Sequence, residues 1–236
     1  MKRKLTVLFS LFTLYNYAQS SLSFSEEIEV ATSTKKVADL VPKKRNGKVG
    51  FVNHSGAFVI YPEYTNVGFF AEDCNLLLSP NPHVRKYGTS DYASVTKGEI
   101  DYRIDRNGKK VYTFKKSDLA ICSPEFKKQR FNAYVQNGFY GLIDNEKFNN
   151  PNDYKQFTIY PQYQYLYILE GDDILNPMII ASVNDKFGII DIHENVIIPF
   201  IYSDIKRNFS WKLAQLFEVS SNGFDYFFID IKNKVY

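Results

Sequence analysis

Three short stretches alternate apolar with polar positions and then run into a polar pair: Ala93-Ser94-Val95-Thr96-Lys97-Gly98, Ala133-Tyr134-Val135-Gln136-Asn137-Gly138 and Ala181-Ser182-Val183-Asn184-Asp185-Lys186. A period of two closed by Asn, Asp or Gly predicts a half-buried strand that enters a hairpin. Beyond each hairpin lies a dyad of an apolar residue and an acid or amide. It recurs as Val52-Asn53, Ile104-Asp105, Ile143-Asp144, Ile190-Asp191 and Ile229-Asp230, at spacings of 52, 39, 47 and 39 residues. Three copies carry a glycine two residues before the dyad ends its strand: Gly50, Gly141 and Gly188. The other two have Tyr102 and Phe227 there.

The residues beyond the dyad repeat as well. Gly56, Gly108 and Asn233 stand three residues after Asn53, Asp105 and Asp230, while Asn195 stands four after Asp191. An Asx side chain that accepts backbone amides, closed by a residue able to take a positive φ, predicts a tight turn at each dyad. A second apolar strand comes next, with a proline and then a tyrosine: Pro62 and Tyr64, Pro161 and Tyr163, Pro199 and Tyr202. Proline has no amide proton to give a ladder, so pairing is expected to end there. The glycine before each dyad is expected to permit close approach of a neighbouring backbone or a ring.

These residues resemble the WG-repeat family, whose tandem copies run Trp-Gly, apolar, Ile-Asp, turn glycine, apolar, Pro, Tyr. The resemblance covers about Leu40 to Tyr236, and Val49, Asp101, Tyr140, Phe187 and Tyr226 stand where the family has tryptophan. It implies an all-β domain of about five tandem β-meander repeats over 40–236, arranged as a propeller-like ring or an open repeat array. It also implies that Gly50, Asn53, Pro62, Tyr64, Asp105, Gly108, Gly141, Asp144, Pro161, Tyr163, Gly188, Asp191, Pro199, Tyr202 and Asp230 are structural residues of the repeat, not ligands. The fifth unit stops at Tyr236 without its Pro and closing Tyr, and Ile28, Val30, Val37 and Leu40 in the preceding segment 21–39 are candidates to complete it. The turn after Asp144 swells into a polar insertion, 145–154, of the kind that repeat proteins carry as surface elaborations or on a working face. Ser123-Pro124-Glu125 has the form of a helix start, so one or two helical turns are expected at 123–128.

Composition changes the picture mainly at the N-terminus. Lys2-Arg3-Lys4 precedes the apolar run Leu5–Tyr15, broken only by Thr6, Ser10 and Thr13, and small residues come next. That is the pattern of a signal peptide over 1–20, cleaved after Ala18 or Ser20, and the run is too short for a bilayer, which needs about 20 apolar residues. The chain has 29 Lys+Arg and 26 Asp+Glu; removing the three leader cations leaves 26 against 26. An exported protein of zero net charge has no electrostatic footprint for nucleic acid. Clusters such as Lys43-Lys44-Arg45 and Lys115-Lys116 therefore read as solvated faces. No transmembrane segment is expected in the mature chain. Cys74 and Cys122 could form a disulfide in that compartment or remain as two buried thiols.

Catalytic, metal and cofactor motifs are not apparent. His54 and His193 fall in dyad turns and His83 in an Asn-Pro loop, without a partnering nucleophile. The pairs Glu72-Asp73 and Asp172-Asp173 occupy equivalent loops and lack the opposed arrangement of glycosidase carboxylates. Tyr160, Tyr163, Tyr165 and Tyr167, and again Phe224, Tyr226 and Phe228, alternate along strands, as core rings or as an exposed platform. The expected function is an exported, non-enzymatic repeat module that binds or scaffolds a protein. Binding of a carbohydrate or envelope polymer is the alternative, and hydrolysis a weaker one.

Overall fold

The computed structural model describes residues 36–122 and 129–236, and contacts divide the chain into Met1–Lys36 and Val37–Tyr236. The leader, Ile28, Val30 and the expected helix at 123–128 lie outside the described residues. Unit Val37–Tyr236 is built of five small antiparallel sheets, each a meander in chain order. The first holds β1 (Val41–Arg45), β2 (Lys48–Val52) and β3 (Phe58–Tyr64); the second holds β4 (Asn66–Phe70), β5 (Ala93–Lys97), β6 (Ile100–Ile104) and β7 (Lys110–Thr113). The third comprises β8 (Phe131–Gln136), β9 (Phe139–Asp144) and β10 (Phe157–Tyr163), and the fourth β11 (Tyr165–Ile168), β12 (Ile179–Val183), β13 (Lys186–Ile190) and β14 (Val196–Tyr202). The fifth contains β15 (Asp204–Ile205), β16 (Phe217–Ser220) and β17 (Tyr226–Ile229). Two short helices, α1 (Cys74–Leu77) and α2 (Ser210–Ala214), interrupt the strands. The fold is all-β, and the sheets form an open repeat array, not a closed barrel.

Four of the five dyads close their strands with the same pair of hydrogen bonds. Asn53 Oδ1 accepts the amides of Ser55 and Ala57, Asp105 Oδ1 those of Asn107 and Lys109, Asp191 Oδ1 those of His193 and Asn195, and Asp230 Oδ1 those of Lys232 and Lys234, all between 2.8 and 3.1 Å. The residue three further on takes the left-handed conformation: Gly56 (φ 82°), Gly108 (83°), Glu194 (64°) and Asn233 (59°). In the fourth unit this residue is Glu194, so Asn195 does not close the turn as its spacing suggested. Asp144 keeps only the Glu146 amide, and its other oxygen takes Arg130 Nε and Nη2 at 3.0 and 2.9 Å. The insertion beyond Asp144 is held by its own contacts. Phe148 packs on Tyr134 and Phe157, with ring centroids 5.1 and 5.2 Å apart, and the Gln156 side chain accepts the amides of Asn149 and Asn150.

The three glycines share one environment. A Cβ on Gly50, Gly141 or Gly188 would run into the carbonyl oxygen of Ile60, Ile159 or Ile198, on the strand that folds over it, and no side chain fits there. The registers repeat: Val52↔Phe58, Phe51↔Ile60, Val49↔Tyr64 in the first sheet; Ile143↔Phe157, Leu142↔Ile159, Tyr140↔Tyr163 in the third; Ile190↔Val196, Ile189↔Ile198, Phe187↔Tyr202 in the fourth. Each outer strand thus gains one extra residue and then two. The larger bulge bends its backbone over the glycine. Proline therefore does not end the strand. It lies inside β3, β10 and β14, within the bulge where no ladder amide is required, and pairing resumes at the tyrosine. The fourth unit departs in detail. Pro199 is aligned with Tyr61 and Tyr160, and the Phe200 ring covers Gly188 where Pro62 and Pro161 cover theirs. In the second sheet, where Tyr102 replaces the glycine, β6 and β7 show only one register shift.

That bend delivers the closing tyrosine to the next unit. Tyr64 OH points to Gly108 O at 3.5 Å, Tyr163 OH donates to Glu194 Oε1 at 3.1 Å, and Tyr202 OH to Asn233 Oδ1 at 2.5 Å. Each tyrosine therefore reaches the positive-φ residue in the turn of the sheet after its own. Burial raises the pKa of all three; for Tyr163, burial and the Glu194 carboxylate push it up to about 12. The fifth and first sheets meet by other contacts. Tyr236 packs on His54, the Ala38 amide bonds Ala214 O at 3.0 Å, and Lys234 Nζ bonds His54 O at 2.8 Å. Val37 packs on the same cluster with Val41, Leu216 and Tyr236. Leu40 instead belongs to the core between the first and second sheets. Burial and Asp230 raise Tyr236 to about 12. Core clusters join sheets one and two, three and four, four and five, and five and one; among the described residues none joins two and three.

Gly141→Ala and Gly188→Ala are each expected to lower the unfolding free energy by about 1–3 kcal/mol, the usual cost of overpacking. Gly68→Ala, whose Cβ would meet only Ser94 O at 3.7 Å, changes it by less than about 0.5 kcal/mol. Urea unfolding of the three variants checks this. Free tyrosine ionises near pH 10, so between about pH 10 and about 12 the unfolded chain releases protons that Tyr163 and Tyr236 retain in the fold. The stability they carry is complete below pH 10 and falls as pH rises through that window. Tyr163→Phe costs about 0.5–1.5 kcal/mol at neutral pH and makes the alkaline fall shallower, as measured by urea midpoints across that range.

A candidate binding edge on the third sheet

In three sheets the chain leaving a closing tyrosine becomes the first strand of the next meander. The amides of Thr65, Gln164 and Ser203, each directly after its tyrosine, donate to the carbonyls of Thr96, Ser182 and Ser220 at 2.8, 3.1 and 2.8 Å. β4, β11 and β15 then run antiparallel to β5, β12 and β16. Two residues further on, Val67, Leu166 and Ile205 turn into the cores.

The third sheet has no such leading strand among the described residues. Its place in sequence comes after β7, and there the chain is held back on the second sheet. Phe114 bonds Asp101 O, and a 3₁₀ turn at Lys116–Asp118 places the Asp118 carboxylate on Tyr112 OH (2.8 Å) and Asn81 Nδ2 (3.2 Å). Those two hydrogen bonds hold its pKa below the ordinary carboxylate value. The Ala120 amide bonds Asn75 O at 3.0 Å, and Cys122 is disulfide-bonded to Cys74 with the Cα atoms 6.0 Å apart. Arg103 anchors the rest of the elaboration between β4 and β5. It is 2% exposed, and its guanidinium donates to the carbonyls of Ala71, Tyr87 and Thr89 and to Ser94 Oγ. Burial depresses its pKa.

β8 is consequently an edge strand. Its hairpin to β9 turns on two residues, Asn137 (φ 52°) and Gly138 (φ 82°), with Gln136 opposite Phe139. In a two-residue hairpin the flanking pair is the hydrogen-bonded one. Gln136, Tyr134 and Asn132 therefore pair with β9, while the backbone groups of Val135, Ala133 and Phe131 face outward. Asn132, Ala133 and Val135 are exposed, Val135 by 54%. The first sheet also lacks a leading strand among the described residues, but its edge is built differently. In β1 the outward positions are Pro42 and Lys44, flanked by Lys43 and Arg45. Proline offers no donor and lysines repel a second strand, the usual protection of an open edge. β8, Phe131-Asn132-Ala133-Tyr134-Val135-Gln136, has neither proline nor charge.

Other candidates resolve individually. Gln129, Tyr167, Ile168, Glu170, Arg207, Asn208 and Phe209 line a shallow cleft of about 130 Å³, and Glu170 pairs with Lys212 at 3.2 Å. Asp73 caps α1 by accepting the amides of Asn75 and Leu76, and Asp173 accepts those of Leu175 and Asn176, so both carboxylates serve turns. His193 lies in the solvent-facing turn expected of it, whereas His83, although exposed, stands in a 3₁₀ helix, Pro82–Gly88, capped by Asn81 and not in an open loop; His54 is not merely a turn residue, since its Nε2 lies 3.0 Å from Ala38 O at the joint of the fifth and first sheets. Among the described residues no three His, Cys, Asp or Glu side chains group as a metal site. The alternating aromatics divide. Tyr163 is core, Tyr165, Tyr226 and Phe228 are half-buried, and Tyr160, Tyr167 and Phe224 are exposed.

Sequence reasoning missed the edge, Arg103 and the cleft. A signal existed for Arg103: counting from the dyads, it falls where Phe51, Leu142 and Ile189 are core residues. None existed for the edge, since the stretch between Phe114 and Phe131 still carries Leu119 and Ile121. The cleft joins residues from separate units and has no linear pattern.

The family model described as WG containing repeat matches residues 50–75 and 187–214. Each match starts at or beside a glycine under a bulge, runs through the closing tyrosine and ends past the leading strand of the next sheet. A comparison with curated proteins finds no match. With the repeated glycine bulge, Asx turn and tyrosine joint, these matches support a WG-repeat family protein.

Proposed function

We propose that the chain is an exported, non-enzymatic module that binds or scaffolds a protein partner outside the cytoplasm. The observation that carries this reading is the uncharged β8 edge, open among the described residues, in a chain whose β1 edge has a proline and three cations. Export is supported by the Lys2-Arg3-Lys4 and Leu5–Tyr15 pattern, and by the Cys74–Cys122 bond, which suits an oxidising compartment. Among the described residues, no helix is long and apolar enough to cross a membrane. A second reading, binding of a glycan, is favoured by the cleft, where the rings of Tyr167 and Phe209 stand beside Arg207, Glu170 and Asn208. Trp211, stacked on Phe217 next to this loop, offers a fluorescence reporter.

Cell fractionation with N-terminal sequencing tests export: the expected product starts at Gln19 or Ser21 and has both cysteines oxidised. A cytoplasmic product that retains its leader contradicts it. A photo-crosslinking residue at Val135 is expected to give one discrete protein adduct in the producing cells and none at Lys44; equal labelling at both positions contradicts the edge as the binding surface. Saturable quenching of Trp211 by an envelope glycan, lost in Phe209→Ala, would favour the second reading instead.

A further inference from the structure

We infer that the β8 edge takes an extended, uncharged segment of a partner protein as an added antiparallel strand, in the register that β4, β11 and β15 hold in the other sheets. This rests on the protein-binding reading and gives it a chemistry. In the sibling sheets the added strand begins with an amide on the carbonyl of Thr96, Ser182 or Ser220. Counted from the hairpin turn, the equivalent acceptor on β8 is Val135 O. Two residues later Val67, Leu166 or Ile205 lies opposite Val95, Ala181 or Val219, and on β8 that position is Tyr134. The Tyr134 ring is half-buried and packs against Phe148 and Phe157 at 5.1 and 5.5 Å. Phe148 comes from the insertion peculiar to this unit. Of the two sheets that have no leading strand among the described residues, the one with the unprotected edge is thus furnished with an aromatic seat for an incoming apolar side chain.

The seat and edge fix the class of segment: about four to six extended residues, free of proline and charge, with an apolar residue opposite Tyr134. Strand addition draws affinity from main-chain bonds and selectivity from alternate side chains. A second copy of this chain is the weaker occupant. Two β8 edges would meet over six residues, about 20 Å, and such a contact is small beside the ~1,200 Å² that a stable interface buries.

The experiment uses the purified mature chain and a fluorescein-labelled peptide of residues 164–169, the leading strand of the fourth sheet. Its anisotropy is titrated with the wild type and with A133P/V135K, which transplants the Pro42 and Lys44 protection of β1 onto β8. Circular dichroism and thermal unfolding verify the fold; should the double variant not fold, V135K alone is titrated. The expected result is saturable binding that the variant weakens at least about tenfold, and similar weakening when Glu replaces the peptide's Leu166. Equal binding by wild type and variant, or no binding by the wild type, overturns the inference. So does a concentration-dependent dimer, seen by sedimentation and abolished by A133P/V135K, which would make a second copy the occupant. None of these outcomes depends on export or on a native partner, so the inference and the broader reading fail separately.

Discussion

Backbone passing directly over a residue that has no side chain is the contact on which this fold rests. Gly50, Gly141 and Gly188 each lie under a carbonyl of the next strand, at a separation no Cβ could occupy. Over these glycines the outer strand gains the two extra residues of the larger bulge and bends, and the bend sends the closing tyrosine out of its own sheet into the turn of the next. That turn must present a left-handed residue to meet it, which the Asx side chain of the dyad organises through two amides. Glycine, dyad and tyrosine are thus parts of one joint, and the family match spans that joint rather than a single sheet.

The same logic explains where the array stops. With Tyr102 in place of glycine, β7 lacks the large bulge, and Tyr112 is engaged by Asp118 within its own elaboration. As far as Cys122, the chain leaving the second sheet is retained on that sheet by hydrogen bonds and by the Cys74–Cys122 bond. Among the described residues the break lies between the second and third sheets, while the terminal sheets meet through Tyr236, His54 and Ala38. Two edges are left without a leading strand among the described residues, and their chemistry differs. β1 is defended; β8 is not.

Strand pairs, dyad turns and the role of the glycines are legible in the sequence because each depends on local spacing: alternation for the strand, an Asx two and four residues before its amides for the turn. Proline misleads for a physical reason. Its missing donor excludes it from a regular ladder, but a bulge has no ladder bond at that residue, so β3 and β10 run through Pro62 and Pro161. Pro199 shows the limit of alignment by residue type, since Phe200 takes over the covering role one position later. Glu194 adopts the conformation expected of Asn195 because the turn counts backbone positions, and its carboxylate then serves Tyr163. The candidate site is the least legible part. An open edge is the absence of a neighbour, and a sequence displays neighbours only when they are close along the chain.

Hydrogen exchange on the isolated monomer tests this account most directly. The amides of Thr65, Gln164 and Ser203, which bond across the joints, should be protected together, while those of Ala133 and Val135 exchange at rates close to those of an exposed strand. Strong protection at Ala133 and Val135, matching that of Tyr134 beside them, would mean that the third sheet is already completed and would contradict it.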